Sequence, residues 1–141
     1  MKYFILSILL FLSQVAYSCS CSCIPLGSID EKQYNDYGLI IKGKIDRVLE
    51  TKFGRIIYIK IDICFKGKQK LVTIKIESPN QSEMCGIFPK VGEQWLIFAY
   101  KNGNIYNTNL CTRTKNLNPK AWNFRKEEIE DDLKFLRRKT E

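Results

Sequence analysis

Arg55-Ile56-Ile57-Tyr58-Ile59-Lys60-Ile61-Asp62-Ile63-Cys64-Phe65 is the stretch that decides the fold. Ile57, Ile59, Ile61 and Ile63 recur at period two, with Tyr58, Lys60, Asp62 and Cys64 between them. That is the pattern of a strand with one buried face. Upstream, Leu39 to Leu49 reads as an earlier strand, and Gly43 within it marks a bend or bulge of the kind small barrels need. Downstream, Gly67 closes the isoleucine strand and Leu71 to Ile76 alternates again. Trp95 to Tyr100 and Ile105 to Leu110 form a hairpin across Lys101-Asn102-Gly103-Asn104, because Asn-Gly tolerates positive φ at both turn positions. Residues 78 to 94, with Pro79, Gly86, Pro89 and Gly92, are irregular and carry Cys85 near their middle.

Two helical stretches flank these five strands. Residues 26 to 37 suit a short helix or turn with Ser28 as N-cap and Glu31 completing a capping box, which sets Tyr34 and Tyr37 on one face. Residues 118 to 139 suit a longer helix. Asn118 is its cap, Pro119 its first turn, and Ile129, Leu133 and Leu136 its apolar stripe. Acids early in it and Arg137, Arg138 and Lys139 at its end complement the helix dipole. The fold class expected is mainly β, a closed five-stranded OB-like Greek-key barrel with a C-terminal helix.

The first eighteen residues read as a signal peptide, with Lys2 as the positive region, Tyr3 to Leu12 apolar, and Ala16-Tyr17-Ser18 before the cut. A cut after Ser20 also satisfies the small-residue rule. Residues 19 to 141 are then a single exported domain, and Ser18-Cys19 also fits a lipidated cysteine, which would anchor it to a membrane. The localisation expected is secreted, or membrane-anchored if Cys19 is acylated.

The chain carries a net charge of +8 and no histidine. The charge favours a polyanionic glycan or an anionic membrane surface as partner, through Lys60, Lys66, Lys68, Lys70 and Lys75. Export argues against nucleic acid. Without histidine the commonest general base and metal ligand is missing, and most hydrolase mechanisms cannot be assembled. Six cysteines (Cys19, Cys21, Cys23, Cys64, Cys85 and Cys111) imply disulfides in a small exported chain, in any of 15 full pairings. Cys-x-Cys-x-Cys lacks the gap of two to four residues usual between paired zinc ligands, so no metal or other cofactor of its own is expected. A Cys-x-Cys redox site would need a reactive thiolate, and structural bonds fit better. The protein reads as a non-enzyme and a monomer.

Five stretches, in order, resemble the netrin-like domain of tissue inhibitors of metalloproteinases. They are Cys21-Ser22-Cys23-Ile24-Pro25, Leu39 to Ile45, Tyr58 to Gly67, Ser82-Glu83-Met84-Cys85-Gly86, and Gly103 to Cys111. The resemblance implies disulfides Cys21–Cys85 and Cys23–Cys111, leaving Cys64 to pair with Cys19 or to stay a free thiol. It also implies an inhibitor that binds the catalytic zinc of a metalloproteinase through the α-amine and carbonyl of Cys21. Ser22 then points into the specificity pocket, and Cys23, Ile24 and Pro25 with Ser82, Glu83, Met84 and Cys85 form the contact ridge. The family's second, smaller domain has no counterpart, so the likeness is to the inhibitory domain alone. Chelation requires Cys21 to be the first residue of the mature chain.

Overall fold

A computed structural model describes residues 21–68 and 70–141. Among them six strands run β1 (Leu39–Glu50), β2 (Arg55–Lys66), β3 (Thr73–Ser78), β4 (Gln94–Asn102), β5 (Ile105–Asn107) and β6 (Lys115–Asn116). Helix α1 (Glu31–Asp36) precedes β1, and helix α2 (Lys126–Thr140) follows β6. Strand neighbours run β1-β2-β3-β5-β4, and a further β1–β4 pairing closes five strands into a barrel, with β6 alongside β4. All pairs are antiparallel except β3–β5, which is parallel.

Alternation along the strands divides the apolar residues into two clusters. Leu39, Ile41, Ile45, Ile57, Ile59, Ile76, Trp95 and Ile97 fill the barrel. Ile40, Phe65, Leu96 and Phe98 point out of the wall, where Ile29, Tyr37 and Leu136 cover them. Helix α2 therefore lies against the outer wall, where Leu136 joins Ile40 of β1, Phe65 of β2 and Leu96 and Phe98 of β4, and the burial of Ile129 and Leu136 provides its hydrophobic anchoring. Tyr34 and Tyr37 both join the outer cluster, as their shared face predicts.

Bulges account for where the simple alternation fails. Lys42 pairs with Ile63 and Gly43 with Ile61, so Asp62 is an extra residue on β2. Beyond it the faces exchange: Ile63 is 46% exposed, and Cys64 turns inward against the barrel core. The expected four-isoleucine face is thus three isoleucines and a cysteine. Gly43 sits at this register shift, and a Cβ there would lie 2.5 Å from the Lys60 carbonyl oxygen. The strands can approach this closely only at glycine.

Several boundaries differ from the sequence reading. The third strand begins at Thr73, not Leu71. The N-cap of α1 is Asp30, whose carboxylate accepts from Gln33 N at 2.7 Å, and not Ser28. The hairpin pairs Asn102 with Ile105, leaving Gly103-Asn104 as a two-residue loop. Gly103 alone has positive φ there, the arrangement of a turn with glycine in its first central position. Helix α2 starts at Lys126 because Asn118 spends its side chain on a turn, accepting from Lys120 N at 3.0 Å. No helix among the described residues is long and apolar enough to cross a membrane.

Candidate functional site

Residues 21 to 28 have little apolar burial to hold them. Seven are exposed and Cys21 is half-buried, and Ile29 is the first buried residue of the segment. Two covalent bonds hold the segment instead. Cys21 is joined to Cys85 and Cys23 to Cys111, each with Cα atoms 5.1 Å apart and across 64 and 88 residues of chain. Bonds closing loops of this length typically contribute about 2–4 kcal/mol each.

The two receiving cysteines sit on loops that are themselves braced. Cys85 ends the single 3₁₀ turn Ser82–Met84 in the left-handed conformation at φ 58°, rare for a residue with a side chain. Its N–H donates to the Ser82 carbonyl at 3.0 Å. A Cβ on the next residue, Gly86, would lie 2.0 Å from the Pro79 carbonyl oxygen, so the chain can turn there only at glycine. Behind the turn, the buried Arg55 guanidinium donates to the Ile87 carbonyl and pairs with Glu50. Cys111 N–H donates to Asn109 Oδ1 at 2.8 Å. The loop carrying it is fixed by three buried hydroxyls: Thr108 Oγ1 lies 3.0 Å from that of Thr112 and 2.6 Å from that of Thr114, and Thr108 also donates to the Phe98 carbonyl.

The consequence is a surface made of two exposed pieces stapled together, Ser22-Cys23-Ile24-Pro25 and Ser82-Glu83-Met84. Ile24 is 85% exposed and Met84 58%, so the ridge offers apolar side chains to solvent. Beside it runs a groove of about 1030 Å³ lined by Cys21, Ile24, Leu26, Cys111, Trp122 and Arg125. Trp122 is itself 82% exposed. Of the residues assigned to the site from sequence, the structure brings Cys21 to Pro25 against Ser82 to Cys85. Cys19 lies outside the described residues, and with it the Cys19–Cys64 pairing and the lipidation of Cys19. Cys64 is unpaired among the described residues, and burial pushes its thiol pKa up, away from the reactive thiolate.

Of the basic set, Lys60, Lys68 and Lys70 are exposed, while Lys66 and Lys75 are engaged within the fold. Lys66 turns inward, donating to the Tyr34 carbonyl at 2.7 Å and lying over the Tyr34 ring, and burial lowers its pKa. Lys75 is 3.3 Å from Glu77. Lys60 stays exposed, directly across the β1–β2 ladder from Lys44, which is also exposed.

Sequence reasoning missed the polar knot behind the segment. Arg113 and Asp132 are both buried and meet at 2.6 Å, with Arg113 Nε adding a second bond at 3.0 Å to the same oxygen. Lys115 Nζ approaches the other Asp132 oxygen at 3.1 Å. Arg113 also donates to Gln33 Oε1 at 2.8 Å and to the Gly27 carbonyl at 2.9 Å. One guanidinium therefore ties the N-terminal segment, α1 and α2 together. The available signal was spacing, since Asp132 falls between Ile129 and Leu136 on the helix face that packs inward. Compared with models of protein families the chain matches none, and among curated proteins no match is found.

Proposed function

We propose that this protein is a metalloproteinase inhibitor of the netrin-like type, acting through the amino terminus of a chain cut before Cys21. The observation that carries the reading is the stapling, through half-buried Cys21 and Cys85, of the exposed Ser22-to-Pro25 stretch to the exposed Ser82-to-Met84 turn. Such a segment loses little conformational entropy when a partner binds it. An α-amine titrates near pH ~8, so at neutral pH a useful share is uncharged and able to ligate a metal. A catalytic zinc keeps a position open for such a ligand. The Cys21 amine and carbonyl would occupy that position, Ser22 would enter the specificity pocket, and Ile24 and Met84 would supply apolar contact. The strand order β1-β2-β3-β5-β4 with its parallel β3–β5 closure supports an OB-like barrel as the carrier.

The test compares two oxidised proteins, one starting at Cys21 and one with a single alanine added before it. Against a panel of zinc metalloproteinases, the first should inhibit at least one enzyme, and the alanine should weaken this by at least about 30-fold, as for loss of an interface hot spot. Equal inhibition by both, or none by either, contradicts the reading.

A second reading is a non-inhibitory module that binds polyanions. It is favoured by the exposed Lys44–Lys60 pair, since like charges directly opposite across a ladder destabilise a sheet unless an anion lies between them. Retention on a sulfated-glycan column that falls steeply with salt, and is lost in Lys44→Glu/Lys60→Glu, would support it. Retention unchanged by that double variant would count against it.

A further inference from the structure

The two disulfides lie side by side, and their four sulfurs form one compact group. Cys21 Sγ is 3.8 Å from Cys23 Sγ and 4.0 Å from Cys111 Sγ, although it is bonded to neither. Cys85 Sγ and Cys111 Sγ, on two different loops, are 3.4 Å apart. All four lie within 4.8 Å of one another. A zinc ion in a tetrahedral tetrathiolate site has Zn–S distances of about 2.3 Å, hence sulfur–sulfur edges of about 3.8 Å. Three of the four non-bonded edges, at 3.4 to 4.0 Å, are already near this length, and the fourth, Cys23 to Cys85, is no longer than 4.8 Å. Only the two bonded edges would need to open, by rotation of side chains on a segment that is mostly exposed.

We infer that, with both disulfides reduced, Cys21, Cys23, Cys85 and Cys111 form a binding site for one zinc-class divalent cation. The short Cys-x-Cys spacing argues against zinc only if the ligands must pair within the local sequence. Here Cys21 and Cys23 supply one edge of the tetrahedron, and Cys85 and Cys111 the opposite edge. Reduction of each S–S bond requires two electrons. A tertiary phosphine supplies them and leaves as its oxide, taking oxygen from one water and giving two thiols. Cation binding then releases the four thiol protons and leaves a centre of net charge −2. The cation would hold the N-terminal segment where the disulfides hold it, exchanging one staple for another. This inference is independent of the inhibitor reading.

The experiment titrates Co²⁺, then Zn²⁺, into the full chain without oxygen, before and after reduction with a phosphine. The reduced chain should take up one Co²⁺ with thiolate charge-transfer and tetrahedral d–d bands, which Zn²⁺ abolishes by displacement. The oxidised chain should show neither. Zinc should protect these four cysteines, mapped by mass spectrometry, from alkylation. Cys64→Ser should keep the tetrahedral spectrum and Cys23→Ser should lose it. If the reduced chain is unfolded, recovery of its circular dichroism on adding zinc also supports the site. The inference is overturned if the reduced chain binds no Co²⁺, gives an octahedral spectrum, fails to refold with zinc, or binds no better than the oxidised chain.

Discussion

The segment from Cys21 to Ser28 and helix α2 both lie on the outside of the same barrel, but they are fastened in opposite ways. Helix α2 buries Ile129, Asp132 and Leu136 against the wall and shows a charged face to solvent. The N-terminal segment buries almost nothing, keeps Ile24 exposed, and stays in place through two disulfides and the Arg113 bond to the Gly27 carbonyl. A segment that covers a core is held by its own side chains. One that presents its side chains has to be held by something else. That difference is the physical basis for the proposal that the amino-terminal end is the surface a partner meets.

The comparison breaks most severely at the residue the two regions share through Arg113. Asp132→Ala leaves a buried guanidinium without its partner and should cost about 3–5 kcal/mol in urea unfolding. Arg113→Met/Asp132→Leu should cost less than that single change, because it removes both charges together. A double variant less stable than the single would show that the bonds to Gln33 and Gly27 outweigh the ion pair.

Next in size is the covalent staple. Cys23→Ser/Cys111→Ser should lose about 2–4 kcal/mol. Amide exchange should quicken at Ile24 to Gly27 while the β1 and β4 amides remain the best protected. Equal loss of protection in both regions would mean that the staple supports the barrel itself.

A smaller effect tests the covered side by pH. Burial, with the adjacent Tyr100, raises the pKa of the Tyr37 hydroxyl above the ordinary tyrosine value. The folded protein therefore holds that proton more tightly than the unfolded chain does. Stability should be complete below pH ~10 and should decline as pH rises above it. Tyr37→Phe should flatten that alkaline decline, and an unchanged slope would assign it to other groups. Smallest of all, Ile24→Ser should alter stability by no more than about 0.5 kcal/mol, as for an exposed position. It should nevertheless weaken protease binding.

The same contrast describes what was legible in the sequence. The barrel interior could be read because Ile57, Ile59 and Ile61 alternate with Tyr58 and Lys60 at period two. The reading failed at Asp62, because a bulge is a property of two paired strands and only Gly43, on the partner, hinted at it. The Cys21–Cys85 and Cys23–Cys111 pairings were legible only through the resemblance carried by the Cys-Ser-Cys-Ile-Pro opening and the Cys-Gly of the later loop. Arg113 and Asp132 were not, since charges on a helix or in a loop are usually solvated and only the three-dimensional packing buries these two. The start of α2 was misplaced because Asn118-Pro119 suits a helix start and a turn equally well.

The most direct test of the account is amino-terminal sequencing with intact mass on protein recovered from its native source. The account predicts a chain beginning at Cys21 with a free α-amine and a mass four hydrogens below that of the fully reduced chain. A chain beginning at Cys19, or one carrying an acyl group there, would contradict it, because the amine of Cys21 would then be an amide and could not ligate zinc.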